Sequence, residues 1–239
     1  MPGLPAPTGI LVCALVLLLG TLLAHAQTPA AGMTYLNVRD FGAVGDGQAD
    51  DTQAIQAALR AAGKPAPGSP QQVLPTGVFV PRGIYRLTRT LELGPDDLLA
   101  HLQGEGTLTP RGKPQTSLKW DGPEGDPLLN LAGYVGLRMS DLHLDGSDRA
   151  GVLLRINSVR GVGTGNLYFE RLNLVRGDTG FEFGKDLDSC AADMTFVDCW
   201  MQYCKTAGFR TMAPQNVDYL ILRCGVTNTP IGFHFYRGG

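Results

Sequence analysis

Four segments, Leu137-x-Met139-x-x-Leu142-x-Leu144, Leu167-x-Phe169-x-x-Leu172-x-Leu174, Met194-x-Phe196-x-x-Cys199-x-Met201 and Tyr219-x-Ile221-x-x-Cys224-x-Val226, place side chains of one apolar kind at the same four positions. Equivalent residues lie 30, 27 and 25 apart, from 142 to 172, 172 to 199 and 199 to 224. Each segment is followed by a glycine and a further apolar run: Gly151-Val152-Leu153-Leu154, Gly180-Phe181-Glu182-Phe183, Gly208-Phe209 and Gly232-Phe233-His234-Phe235. A period in the twenties, made of short strands with no helical pattern between them, predicts an all-β solenoid, a β-helix over about 78–236. The break in alternation between the second and third apolar positions marks a corner where the strand turns from one sheet to the next.

That register assigns roles. Leu142, Leu172, Cys199 and Cys224 fall in one interior stack. Asp141, Arg171, Asp198 and Arg223 share one outward position with alternating sign, and coils about 4.8 Å apart would bring them together. A salt-bridge ladder is expected, stabilising by roughly 0.2 to 1 kcal/mol per pair, with a binding role as the alternative. Phe169 with Phe196, and Phe181 with Phe209 and Phe233, read as interior stacks and not as sugar platforms.

Upstream lies Val38-Arg39-Asp40-Phe41-Gly42-Ala43-Val44-Gly45-Asp46-Gly47-Gln48-Ala49-Asp50-Asp51-Thr52-Gln53-Ala54-Ile55-Gln56-Ala57-Ala58. Asp46-Gly47 is a strong turn pair, and Gly42, Gly45 and Gly47 permit backbone conformations that a Cβ would penalise. A helix over roughly 51–62 is predicted next, with Asp50 as N-cap and Gln53 as its capping-box partner. Ile55 and Leu59 share a face with Ala58 and Ala62, and Gly63 followed by Pro65 ends the run. Asp50 and Asp51 read as structural, with a catalytic dyad as the alternative. A second motif, Val78-Phe79-Val80-Pro81-Arg82-Gly83-Ile84-Tyr85-Arg86, has the form strand, proline-glycine turn, strand.

These two motifs together resemble the N-terminal segment of the pectate lyase superfamily, in particular its rhamnogalacturonase-like and epimerase-like members. The resemblance implies a single-stranded, right-handed parallel β-helix with a short N-terminal capping α-helix, in which Phe41, Gly42, Gly45, Asp46, Gly47, Asp50, Asp51, Thr52, Pro81, Gly83 and Tyr85 form the structural motif. It implies a polysaccharide partner, pectin-like and acidic. The reaction stays open, because polygalacturonases, lyases, glucanases and tailspikes share this beginning.

The polygalacturonase branch carries Asn-Thr-Asp, Asp-Asp, Gly-His-Gly and Arg-Ile-Lys on successive coils. Here the nearest counterparts are Gly177-Asp178-Thr179-Gly180, Lys205-Thr206-Ala207 and Arg155-Ile156-Asn157, and no Gly-His-Gly occurs. The hydrolytic set is absent. Elimination on this scaffold needs acids that hold Ca²⁺ against a uronate carboxylate and a Lys or Arg as base at C5. Asp178, Lys185, Asp186 and Asp188 are the candidates, with Glu182 and Asp193 nearby, and a solvated loop is the alternative. Asp145, Gly146, Ser147, Asp148 and Arg149 form a second such loop. Two function classes follow: a polysaccharide lyase or hydrolase, or a non-catalytic glycan-binding or structural β-helix, which includes an inactive fragment of a larger enzyme.

Residues 1–26 read as a signal peptide. Ile10 to Ala24 is apolar but short for a bilayer span, and Ala24-His25-Ala26 precedes a cleavage site before Gln27. No Lys or Arg precedes the apolar run, so an uncleaved anchor is the alternative. Cys13 follows Val12 and not the small residue of a lipoprotein signal. Residues 27–33 form a leader, and 34–239 the β-helix domain. With 20 basic and 22 acidic residues and no basic stripe, nucleic acid is excluded as a partner. Cys190, Cys199, Cys204 and Cys224 permit two disulfides in a secreted chain, and a Cys199–Cys224 bond or two stacked thiols both fit. The four histidines, at 25, 101, 143 and 234, make no metal pattern. The chain stops at Phe235-Tyr236-Arg237-Gly238-Gly239 without a polar cap, which reads as a truncated or partial β-helix.

Overall fold

The computed structural model describes residues 34–64, 76–108, 113, 115–159, 162–184, 190–213 and 215–235. Their strands wind into three parallel sheets, of seven, seven and six strands. Each coil after the first contributes one strand to each sheet in turn. The coil containing the second repeat runs Thr164–Glu170, Asn173–Val175 and Thr179–Phe183, and the next runs Cys190–Val197, Trp200–Gln202 and Ala207–Thr211. The molecule is a parallel β-helix.

The repeat positions are Cα partners across rungs. Met139, Phe169, Phe196 and Ile221 align in the first sheet, and Leu144, Leu174, Met201 and Val226 in the second. In the third sheet Leu154, Phe181, Phe209 and Phe233 align, so Leu153 and not Gly151 stands level with Gly180. The physical reason lies in the neighbouring coil, where a Cβ at Gly177 would sit 2.7 Å from Leu153 Cγ. Leu153 fills space that glycine leaves open. Inside, Phe169 stacks on Phe196 at 5.1 Å and Phe181 on Phe209 at 5.1 Å, with Phe181 edge-on to Phe196 at 5.0 Å. Full burial of each such ring contributes about 1.5 to 3 kcal/mol.

The corner residues are Asp141, Arg171, Asp198 and Arg223, all left-handed, with φ of 62°, 48°, 53° and 51°. A side chain at such φ costs about 1 to 2 kcal/mol. Charge pairing offsets part of that. Arg171 grips Asp141 at 2.6 and 2.7 Å, and Arg223 grips Asp198 at 2.7 and 2.7 Å. The next residue turns inward: Leu142, Leu172 and Cys199 are buried, and Cys224 is half-buried against the same core. Cys199 and Cys224 are stacked thiols. Their mutual hydrogen bond pushes the Cys199 thiol up and the Cys224 thiol down.

The N-terminal motif builds the first coil. Thr34–Asn37 and Asp46–Asp50 join the first and second sheets, and α1, Thr52–Ala61, packs beside Leu91–Leu93. Gln56 acts there as a strand surrogate: its Nε2 donates to Glu92 O and its Oε1 accepts from Glu92 N, both at 2.8 Å. Ile55, Ala58 and Leu59 are buried.

The expected capping box is not formed. Asp51, not Asp50, precedes the helix, and its side chain makes no cap bond. Its buried carboxylate instead accepts from Val44 N at 2.6 Å and Gly45 N at 3.2 Å, closing the glycine turn. Asp50 accepts from Thr52 N, Thr52 Oγ1 and Thr88 Oγ1. Burial opposes its charge, but these bonds prevail and hold its pKa low. Asp46 accepts from Gln48 and Ala49 N, which lowers it as well. Gly45, with φ of 72°, is required twice over, since a Cβ there would meet Tyr85 Cζ at 2.8 Å. Tyr85 is buried and donates to Pro81 O at 2.9 Å.

Candidate functional site

Along the third sheet, side chains alternate between core and solvent with the period of two. The outward positions form one column across six rungs: Glu92, Asn130, Arg155, Glu182, Arg210 and His234. The inward neighbours of Glu182 are Phe181 and Phe183, both buried, which fix its strand and hence its direction.

The column is bonded from rung to rung. Asn130 Nδ2 donates to Glu92 Oε2 at 2.6 Å, and Asn157 Nδ2 to Asn130 Oδ1 at 2.9 Å. Arg155 Nε donates to Glu182 Oε1 at 2.7 Å and Arg210 Nε to Glu182 Oε2 at 3.0 Å. Glu182 is thereby enclosed, its side chain 5% exposed, while those of Arg155 and Arg210 remain 23% and 21% exposed. Asp178 enters from the turn before the strand, accepting from Thr206 Oγ1 at 2.6 Å and lying 3.9 Å from Arg210 Nη1. At its first rung the column meets a cavity of about 490 Å³ beside α1, with the exposed guanidiniums of Arg60 and Arg89 in its lining.

Of the expected site residues, Asp178 therefore belongs to this face, while Lys185, Asp186 and Asp188 lie outside the described residues. Asp178 and Gly184 stand at opposite ends of Thr179–Phe183, five extended residues that span roughly 17 Å. Asp193 is exposed on the first sheet and takes no part. In the second loop Asp145 pairs with Arg176 and accepts from Ser147 N, while Arg149 lies 3.6 Å from Asp121. Sequence reading missed Arg155 and Arg210 as partners of Glu182. The signal was available: they are the outward residues of the apolar runs that follow each repeat.

Chemically, the face offers guanidinium edges and amides, with its three carboxylates, Glu92, Glu182 and Asp178, already engaged as acceptors. Calcium does not fit the described part of it. The Asp178 carboxylate faces a guanidinium, and the described residues contain no group of three or more His, Cys, Asp or Glu placed to hold a metal.

Residues 35–135 match the family described as rhamnogalacturonase A/epimerase, pectate lyase-like. Over that stretch the chain resembles this family, and its fold is a parallel β-helix. It is 36% identical over 117 residues to mannuronan C5-epimerase AlgE5 of Azotobacter vinelandii, a match covering 46% of this chain and 11% of that protein. It is 50% identical over 52 residues to alginate lyase 7 of the same organism, covering 22% and 5%. Among solved structures, the A-module of A. vinelandii mannuronan C-5 epimerase AlgE6 superposes with a TM-score of 0.55 at 24% identity, over 82% of this chain and 57% of that one, a likeness of fold. The chain thus spans a small part of the curated relatives it matches.

Proposed function

We propose that this pectate lyase-like chain is secreted and binds an acidic polysaccharide along the outer face of its third sheet. The observation that carries the reading is the Arg155–Glu182–Arg210 column. Two guanidiniums two rungs apart, roughly 10 Å, flank one enclosed carboxylate, so this triad carries one net positive charge, with Asp178 and Glu92 as the further carboxylates of the face. Their outward N–H groups suit the carboxylates of a uronate chain crossing the strands, and Asn130 suits its hydroxyls. Arg60 and Arg89 extend the same character past the first rung.

Similarity to proteins named for mannuronan and alginate favours a uronate polymer over a neutral one. Secretion rests on the apolar run and the Ala24-His25-Ala26 pattern; among the described residues no helix is long and apolar enough to cross a membrane.

Binding without hydrolysis is the reading favoured by the committed state of Glu182 and Asp178, because a glycosidase needs one carboxyl as acid and a second as base or nucleophile. These residues should release no reducing sugar from polygalacturonate or alginate.

The test is affinity electrophoresis in gels containing alginate, polygalacturonate or dextran. Retardation by either uronate polymer but not by dextran is expected, weakened at least tenfold in Arg155→Gln/Arg210→Gln. Equal mobility in all gels would overturn the binding reading, and robust reducing-sugar release would overturn the non-hydrolytic one. The Asn130→Ala variant, which leaves the ion triad intact, guards against loss of folding and should weaken retardation by itself.

A further inference from the structure

The second sheet carries its own outward column: His143, Asn173, Trp200 and Gly225, paired rung to rung. Trp200 is 44% exposed, whereas the other tryptophan, Trp120, is fully buried. The reason the indole lies against the sheet is Gly225. A Cβ at that position would fall 2.3 Å from Trp200 Cζ3 and 2.6 Å from Cε3. One face of the ring therefore rests on the backbone of the next rung, and the exposed area is on the other side.

Beside the indole opens a groove of about 410 Å³, lined by Asn173, Trp200 and Gln202 and by Thr107 and Leu108, which follow Leu99–Gly104 two coils before Asn173. Asn173 is 5% exposed, with Nδ2 3.1 Å from His143 Nδ1, and its Oδ1 is buried with no hydrogen-bond partner. Turning the amide over exchanges the two atoms and leaves one of them unpartnered all the same. An unpaired buried polar atom costs about 1 to 3 kcal/mol and calls for a functional reason. Small rotations about this terminal torsion are soft, so the amide can follow a ligand.

The charges at the rim are already matched. Arg171 is held by Asp141 and Glu170, and Asp198 by Arg223. Burial pushes the His143 imidazole pKa down, so it is neutral at pH 7. A flat aromatic platform, an amide seeking a partner and no uncompensated charge together select an uncharged ring with an apolar face and hydroxyl edges.

We propose that the groove over Trp200 binds a neutral pyranose residue of a glycan, stacked on the indole, with a hydroxyl donating to Asn173 Oδ1 and Gln202 as the second polar contact. The site goes beyond the acidic-polymer face on the third sheet and does not depend on it.

The experiment is titration of the full chain with cellobiose and with maltose, followed by tryptophan emission and by saturation-transfer NMR, with trigalacturonate as the charged control. A saturable emission change with a neutral disaccharide is expected, and it reports Trp200 because Trp120 is buried. By NMR, binding should be lost in Trp200→Ala and retained in weaker form in Trp200→Phe. Asn173→Ala should weaken it about fivefold, the equivalent of one hydrogen bond of about 1 kcal/mol. Arg155→Gln/Arg210→Gln should leave it unchanged. The proposal is overturned if neither disaccharide gives a saturable response, if folded Trp200→Ala binds like the parent, or if trigalacturonate binds this groove more tightly than the neutral sugars.

Discussion

The outer faces of the third and second sheets use polar residues in opposite ways. On the third, Glu182 is enclosed by two arginines and side-chain hydrogen bonds link the first five rungs one to the next. On the second, an indole lies open, a buried amide oxygen lacks a partner and the ions stand at the rim. Both faces belong to one solenoid with the same inward stacks. Architecture is set by the inward residues, and the outward ones are free to differ from sheet to sheet.

The largest expected effect tests the enclosed ion group. Removing one partner of a buried pair typically costs 3 to 5 kcal/mol. Because both guanidiniums keep about a fifth of their exposure, Glu182→Gln should cost about 3 kcal/mol by urea unfolding. Trp200→Ala, which deletes a half-exposed ring, should cost about 1 kcal/mol. The contrast between the faces breaks if the order is reversed.

Next in size is Gly225→Ala. A Cβ 2.3 Å from the Trp200 ring forces the indole off its seat, and overpacking of this kind costs about 1 to 3 kcal/mol. In the Trp200→Ala background the same change should be nearly neutral, so the two substitutions are strongly coupled. Additive costs would mean that the indole does not rest on that rung.

A pH series separates the faces further. Burial lowers the pKa of His143 on the second sheet and of His101, which contacts Tyr35 and Ser140 on the first. Above the unfolded value of about 6.5 both states are neutral and these groups contribute no slope. As pH falls below it, the unfolded chain takes up protons first, so stability declines until the folded pKa values are passed. Asp50 acts in a lower window: with its folded pKa depressed, its contribution is present above the unfolded carboxylate value and is lost as pH falls through the folded one. Melting temperatures at pH 8, 6.5 and 5 should show the histidine decline, flattened in His143→Gln. An unchanged profile in that variant would place the proton uptake elsewhere.

How much of this was legible in the sequence follows from what periodicity encodes. The inward residues recur with the coil, so the aligned positions of Leu137 to Val226 gave the register, the Phe169–Phe196 and Phe181–Phe209 stacks and the Asp141–Arg171 pairing. A glycine before an apolar run looks alike at two different offsets, so Gly151 and Gly180 do not occupy equivalent positions of the third sheet. Asp50 was misread for a different reason. A capping box and an aspartate that closes a preceding glycine turn have the same local sequence, and only the bonds from Val44 and Gly45 to Asp51 distinguish them. Asn173 and Trp200 occupy variable positions of the repeat, where pattern carries no expectation; alternation marks Arg155 and Arg210 as outward residues, but their shared partner Glu182 appears only when coils stack.

The smallest expected effect sits at the corner between the first and second sheets, and it measures how far geometry can rescue an exposed ion pair. Asp141 and Arg171 meet through two hydrogen bonds of 2.6 and 2.7 Å, with side chains 15% and 45% exposed. Surface pairs usually contribute about 0.2 to 1 kcal/mol, and a bidentate fork with one well-covered partner belongs at the upper end of that range. Both residues also hold left-handed backbone that glycine or asparagine would adopt at lower cost. Single substitutions at Arg171 therefore mix a lost pair with a relieved backbone, and Arg171→Gly could leave stability unchanged. A double-mutant cycle with Asp141→Asn and Arg171→Gln cancels the backbone effect, since each replacement's own backbone cost enters both arms, and should return a coupling of about 0.5 to 1 kcal/mol. Repeating it in 1 M salt, where the screening length is about 3 Å, should reduce that coupling by about half or more. A coupling that survives salt in full would mean that the corner pair behaves like Glu182 and its arginines, and the distinction between enclosed and rim ions in this solenoid would fail.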